Sequence, residues 1–169
     1  MEWALPEWTV LALLGEEPRH GFAVAALTAA DGALGRVWTV PRPMVYRALG
    51  RLEGAELITP VTVESGPGPQ RTVYEATAAG RSAVAEWLER PAEHVRQLRS
   101  HLLVKLALLH RRGLAADELL RRQRAVLERV VAALDAEPGE GFDAVLLAWR
   151  TTNASAALRF VDEISRSPA

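Results

Sequence analysis

The sequence contains no cysteine, and this absence excludes several classes of protein at once. Among its 169 residues, none can form a disulfide bond, act as a thiol nucleophile or ligate zinc or an iron–sulfur cluster through sulfur. A disulfide-rich secreted scaffold is excluded for the same reason. Because a chain of this length buries about two-thirds of its unfolded surface without cross-links, the composition favours an ordinary globular protein in a reducing compartment, the cytoplasm.

Long apolar runs are also missing. A membrane-spanning helix needs about 18 or more consecutive apolar residues, but Glu7 interrupts the first apolar run and Lys105 the best later one. The N-terminal MEWALPEW is acidic where a signal peptide would be basic. We therefore expect a water-soluble cytoplasmic protein with no membrane partner.

Patterns typical of catalysis and metal binding are scarce as well. His94, His101 and His110 lack the four-residue spacing at which one helix face binds zinc. No G-x-S-x-G, P-loop or dinucleotide glycine pattern occurs, and the Gly-Pro run at 66–69 lacks the lysine and helix that a phosphate site needs. We expect no metal, no cofactor and no enzymatic activity.

A net excess of charge is absent, although charge is unevenly distributed. The 20 basic and 21 acidic residues give a net charge of −1, which argues against a general polyanion binder. Between residues 36 and 51, however, there are four arginines and no carboxylate. A sequence-reading nucleic-acid contact therefore remains compatible with the neutral total.

Apolar periodicity predicts three short helices over 7–14, 21–30 and 43–53, with Gly15 ending the first. Two β-type runs, 57–63 and 72–75, then flank a Gly/Pro-rich tip and predict a hairpin. This order is that of a winged helix-turn-helix domain, whose third helix enters the DNA major groove.

Helical periodicity resumes after Thr77 and continues to the end of the chain, with breaks at Pro91, Gly113 and Pro138-Gly139. The predicted fold is mainly α: a winged helix-turn-helix domain with a two-stranded β wing over 1–80, and a helical dimerisation domain, with a possible effector site, over 81–169. The last helix, 142–165, aligns one apolar side that carries Phe142, Val145, Leu146, Trp149, Asn153, Ala156, Phe160 and Ile164.

Several blocks resemble the PadR family of bacterial transcriptional regulators in order and spacing: His20-Gly21-Phe22, the run from Met44 to Glu53 followed by Leu57-Ile58, and the run from Tyr74 to Arg81. The turn before the third helix, Pro41-Arg42-Pro43, departs from the small Ser/Gly-rich turn usual in the family. The resemblance implies a homodimeric repressor with a C-terminal helical dimerisation domain. It would bind a pseudo-palindromic operator in double-stranded DNA and be released by a small-molecule effector.

The third helix has an apolar and a basic face. With Val45 at 0°, Leu49 and Leu52 fall near that direction, whereas Arg47 and Arg51 fall at about 200° and 240°. Arginine pairs with guanine or clamps phosphate, although such a face is also typical of a solvated helix. The predicted DNA-binding residues are Thr39, Arg42, Met44, Tyr46, Arg47 and Arg51, with Gln70 and Arg71 on the wing.

The start of the second helix and the middle of the last helix each allow a structural or a functional interpretation. Gly21 and His20 are better explained by close helix approach and by capping or packing than by a binding site. On the last helix, Asn153 either fixes register in a dimer core or lines a pocket with Trp149 for a planar aromatic effector; dimer packing is favoured, and Trp8 is a further effector candidate. The predicted dimer residues are Leu98, Leu102, Leu106, Phe142, Leu146, Trp149 and Phe160.

A second class of function remains open, namely a winged-helix module that binds protein without binding DNA. Loss of DNA binding on replacement of Arg47 and Arg51 would distinguish a regulator from this alternative.

Overall fold

The computed structural model describes residues 3–65 and 70–166. The N-terminal half contains α1 (Leu5–Leu14), β1 (Arg19–His20), α2 (Gly21–Thr28), α3 (Arg42–Gly54), β2 (Ile58–Glu64) and β3 (Arg71–Ala76). The C-terminal half contains α4 (Ala78–Glu89), α5 (Leu103–Arg111), α6 (Asp117–Asp135) and α7 (Gly141–Arg166). The Gly-Pro run at 66–69, part of the predicted hairpin tip, lies outside the described residues.

The start of α2 confirms the structural interpretation of His20 and Gly21. The His20 ring caps the helix, since Nδ1 accepts a hydrogen bond from the Ala23 amide at 3.0 Å. A Cβ on Gly21 would lie 2.9 Å from side-chain atoms of both Tyr46 and Leu49. The glycine therefore lets α2 approach α3 closely.

The sheet is antiparallel with strand order β1-β3-β2. β2 and β3 form the predicted hairpin, and their pairing register shifts between Pro60 and Thr62. Proline has no amide hydrogen to donate, which fits an irregular position on the edge strand β2. The sequence did not predict β1, which is only two residues long and joins the free edge of β3.

The apolar face of α3 is buried as predicted. Val45, Leu49 and Leu52 are buried, and they belong to the same core cluster as Leu11 and Leu13 of α1. The opposite face of α3 is exposed, so packing against α1 and α2 fixes the orientation of its polar side chains.

α4 begins at the predicted cap, where the Thr77 hydroxyl accepts a hydrogen bond from the Gly80 amide at 3.1 Å. The predicted boundary at residue 80 falls inside this helix. The Trp87 ring stacks on that of Trp8 in α1, with 5.2 Å between centroids and 6° between planes. α4 therefore connects the N-terminal elements to the helices that follow.

The helix predicted after Pro91 is irregular at its start. A 3₁₀ turn at Val95–Gln97 and a π-helical turn at Leu98–Leu102 precede α5. The buried Gln123 side chain of α6 holds this segment through the Ala92 amide and carbonyl, at 2.7 and 2.9 Å.

α7 packs on α6 through a face that the sequence did not single out. Ala154 and Val161 are buried, and Ala157 and Leu158 pack beside them. Most of the predicted apolar side is exposed instead. α7 is apolar on two sides, and periodicity alone does not show which side faces α6. No helix in the described ranges is long and apolar enough to cross a membrane.

Candidate nucleic-acid interface

The exposed face of α3 and the start of β3 border one cleft of about 550 Å³. Arg42 and Tyr46 line it from α3, Gln70 and Arg71 from the β3 side, and Phe22 from α2. The helix and the wing thus present side chains to a common space.

Three exposed arginines in this region, Arg42, Arg47 and Arg71, make no ion pair or hydrogen bond with any residue that the structure describes. We call them the unpaired arginine surface. Arginines elsewhere are commonly bound to carboxylates; Arg111, for example, binds Glu16 at 2.8 Å. The guanidinium donors of the unpaired arginine surface are therefore available to an external partner.

Aromatic rings hold two of these arginines in place. The Arg42 guanidinium carbon lies 5.3 Å from the Phe22 centroid and 5.6 Å from that of Tyr46, and the Arg71 guanidinium carbon lies 5.0 Å from the Phe22 centroid. These distances are within the range of cation–π attraction.

Arg51 differs from the other predicted DNA-binding arginines. It forms a salt bridge with Glu7, whose side chain is only 4% exposed, and its guanidinium carbon lies 5.1 Å from the Trp3 centroid. Arg51 thus connects α3 to α1 through an intramolecular ion pair, and we do not assign it to base reading.

The remaining predicted contacts have different surroundings. The Thr39 hydroxyl donates to the Gly35 carbonyl at 3.1 Å, and Met44 is half-buried against the core. Tyr46 and Gln70 are exposed. At the far end of the cleft, the Tyr74 hydroxyl donates to Glu53 at 3.4 Å; burial, followed by this carboxylate, raises the pKa of Tyr74.

A second cleft, of about 850 Å³, lies between the 93–99 segment, α6 and α7. Trp149 and Asn153 line it together, as the effector hypothesis required, and so do Arg96 and Arg99. The Asn153 amide donates to the Trp149 carbonyl at 2.7 Å. Trp8 does not line this cleft, because its ring is stacked on Trp87.

The predicted dimer residues fall into three groups. Leu98 and Leu102 are buried within one protomer, so their assignment to a subunit interface is corrected. Leu106 is half-buried, and the rest are exposed on α7: Phe142, Leu146, Trp149 and Phe160.

Residues 10–86 match the sequence model of the transcriptional regulator PadR-like family. Residues 10–86 therefore form a PadR-like region. The family that this model describes consists of transcriptional regulators, and it is the family that the sequence blocks resemble. The match runs from the middle of α1 into α4 and includes the unpaired arginine surface.

The chain is 29% identical over 100 residues to the probable transcriptional regulator Rv1176c of Mycobacterium tuberculosis. That alignment covers 59% of this chain and 51% of Rv1176c, so the chain spans about half the length of this relative. Bacillus subtilis PadR, solved in complex with operator DNA, is 16% identical with a TM-score of 0.49, covering 94% of this chain and 97% of that chain. A PadR-like transcription factor from Bacteroides fragilis is 28% identical with a TM-score of 0.40, covering 47% and 73%.

Sequence reasoning missed two residues that position arginines of the candidate nucleic-acid interface. Phe22 stood out only as part of the His20-Gly21-Phe22 block, although an aromatic residue beside a capped helix start was a usable signal. The sequence does not indicate that Glu7 pairs with Arg51, because the two residues are 44 positions apart in the chain.

Proposed function

We propose that this protein is a homodimeric PadR-family repressor that binds a pseudo-palindromic operator in the cytoplasm. The observation that carries the proposal is the unpaired arginine surface on α3 and the wing. Residues 1–80 would form the DNA-binding domain and residues 81–169 the dimerisation and effector-binding domain, with α4 joining them.

The three arginines would contact different parts of the DNA. Arg47 projects from the exposed face of α3 and would read base edges in the major groove, where arginine pairs with guanine O6 and N7. Arg42, at the first residue of α3, and Arg71, on the wing, would contact phosphates. With a net charge of −1, binding to unrelated DNA is expected to be weak.

The test uses two kinds of DNA probe. One is a duplex selected by the protein from a random library, and the other is the DNA upstream of the protein's own coding sequence. We expect Arg47→Ala to weaken binding to the selected duplex by about 5- to 150-fold and to relax its base preference. Arg42→Ala/Arg71→Ala is expected to weaken binding to all duplexes. Arg129→Ala, which removes an exposed arginine on α6, is the matched control.

If the Arg47 and Arg42/Arg71 variants bind as tightly as the wild type, the DNA surface has been assigned wrongly. If the wild type selects no duplex at all, the protein-binding winged-helix module becomes the better proposal.

Dimerisation would use the exposed apolar side of α7. Phe142 is 73% and Trp149 69% exposed, and Leu146 lies between them on the same side. An apolar strip of this kind is typical of a protein interface, and a second copy would cover it about a two-fold axis. The dimer would place two α3 helices about 34 to 36 Å apart.

An effector would bind in the cleft that contains Trp149 and Asn153. Arg96 and Arg99 make no ion pair there with residues that the structure describes, whereas Arg150 and Glu137 pair with each other. Glu93 is the other carboxylate that lines the cleft, so the cations are in excess, which favours a planar aromatic ligand with negative charge. Such a ligand releases DNA only if it binds the non-operator dimer geometry more tightly. Coupling of about 2.7 kcal/mol corresponds to a 100-fold change in DNA affinity.

Tryptophan fluorescence tests this site. We expect planar aromatic carboxylates to quench the wild type more strongly than Trp149→Phe and to raise the DNA dissociation constant. Equal quenching of both proteins would remove Trp149 from the site.

A further inference from the structure

Phe22 brings together two cations from separate elements. Its ring is 45% exposed at the start of α2, although the hydrophobic effect favours burying so large an apolar side chain. The guanidinium carbons of Arg42, on α3, and Arg71, on β3, both lie within 5.3 Å of its centroid. One exposed ring thus holds the ends of two arginines that the chain places 29 residues apart.

Stacking positions an arginine without using its hydrogen-bond donors. The ring attracts the face of the planar guanidinium, whereas the five N–H donors point outward in its plane. A salt bridge has the opposite effect, as Arg51 shows by donating to Glu7. Arg42 and Arg71 therefore lie against the ring and are still able to donate.

Two like charges at one ring also repel each other. No described carboxylate is within ion-pair distance of either Arg42 or Arg71. Glu53 lines the same cleft, but there it accepts a hydrogen bond from the Tyr74 hydroxyl. An anion that enters between the two guanidinium groups would relieve their repulsion and accept their donors.

We infer that Phe22 is a positioning residue that holds Arg42 and Arg71 as a clamp for a phosphate group of the DNA backbone, where α3 meets the wing. The inference rests on the proposed function and assigns Phe22 a role through the two arginines, not through contact with a base.

The test uses the full-length protein and the duplex with the highest affinity from the library selection. Phe22→Leu keeps an apolar side chain but removes the aromatic face, and we expect it to raise the DNA dissociation constant about tenfold. The slope of log K against log salt concentration should become shallower by about 0.9 for each phosphate that the variant no longer neutralises. Phe22→Tyr, which restores the ring, should bind like the wild type.

A double-mutant cycle separates positioning from a direct or purely structural role. In the Arg42→Gln/Arg71→Gln background, Phe22→Leu should weaken binding no further. Equal weakening by Phe22→Leu in both backgrounds would overturn the clamp, because Phe22 would then act independently of the arginines.

Different results would contradict the Phe22 clamp and the proposed DNA surface. If Phe22→Leu binds like the wild type while Arg42→Gln/Arg71→Gln binds weakly, the clamp is wrong and the DNA surface stands. If Arg42→Gln/Arg71→Gln binds like the wild type, the DNA surface proposed for these residues is wrong as well.

Discussion

At the scale of single residues, two exposed arginines of α3, Arg47 and Arg51, have opposite surroundings. Arg47 makes no described ion pair, whereas Arg51 compensates the buried carboxylate of Glu7. The second carboxylate oxygen of Glu7 has no described hydrogen-bond partner. Arg51→Ala would therefore leave a buried charge, and we expect the free energy of unfolding to fall by about 1–3 kcal/mol.

Chemical denaturation measures this difference. Arg47→Ala is the matched control and should change stability by less than about 0.5 kcal/mol. Glu7→Gln/Arg51→Ala should recover part of the loss, since a neutral amide is less costly to bury than a carboxylate. Equal stability of the Arg51→Ala and Arg47→Ala proteins would contradict the structural role of Arg51.

Two helical glycines are expected to respond in opposite ways to an added methyl group. A Cβ on Gly50, on the exposed face of α3, meets no atom within 4 Å. Gly50→Ala should raise the free energy of unfolding by about 0.5–1 kcal/mol, because alanine loses less backbone entropy in a helix. A Cβ on Gly80 would lie 2.1 Å from the Leu57 carbonyl oxygen, so Gly80→Ala should lower it by about 1–3 kcal/mol. Thermal melts that shift in the same direction for both variants would contradict this prediction.

At the scale of elements, the sequence predicted those whose signal is local. The stripe of Val45, Leu49 and Leu52 located α3, and Thr77 located the start of α4, because periodicity and capping act within a few residues. β1 was missed because a two-residue strand depends on its partner β3. The irregular start of α5 was missed for a similar reason, since Gln123 on α6 binds the segment before it.

The contact between α4 and α5 predicts a pH dependence. Lys105 on α5 is buried, with its ammonium group donating to the Arg90 carbonyl and lying 4.7 Å from the Trp87 centroid. Burial, and then the neighbouring Arg90 charge, lower the pKa of Lys105 from 10.5 to about 8. Below pH 8 both the folded and the unfolded chain carry this proton, and the charge buried in the folded chain reduces stability.

Between pH 8 and 10.5 the unfolded chain keeps the proton while the folded chain loses it, so this group makes stability rise with pH. We expect Lys105→Met, which keeps the apolar stem, to be more stable at pH 7, with an advantage of about 1–3 kcal/mol that shrinks as pH rises through this window. Denaturant unfolding of both proteins across this pH range measures the difference. Groups that titrate in both proteins, such as Tyr74, contribute equally to the two free energies of unfolding and cancel in the difference. A stability difference independent of pH would show that Lys105 does not titrate there.

At the scale of the whole molecule, the sequence predicted the order of elements but not the contacts between distant ones. The pairing of Glu7 with Arg51 and the stacking of Phe22 on Arg42 and Arg71 depend on how α1, α2 and β3 are brought to α3. Single-sequence periodicity contains no information on such distances. For α7, two apolar faces share one helix, and only the assembled chain shows that Ala154 and Val161 meet α6.

The exposed face of α7 predicts that the oligomeric state depends on one strip of side chains. Leu146→Glu would place a charge in the centre of that strip, where a second copy would have to bury it. We expect the wild type to sediment at twice 18.4 kDa and Leu146→Glu at 18.4 kDa, with weaker binding to a two-half-site duplex. Ala148→Glu is the matched control, because Ala148 is exposed on α7 but turned about 100° from Trp149. If Ala148→Glu and Leu146→Glu both remain dimeric, the subunits meet elsewhere; if the wild type is monomeric at micromolar concentration, the homodimer itself is wrong.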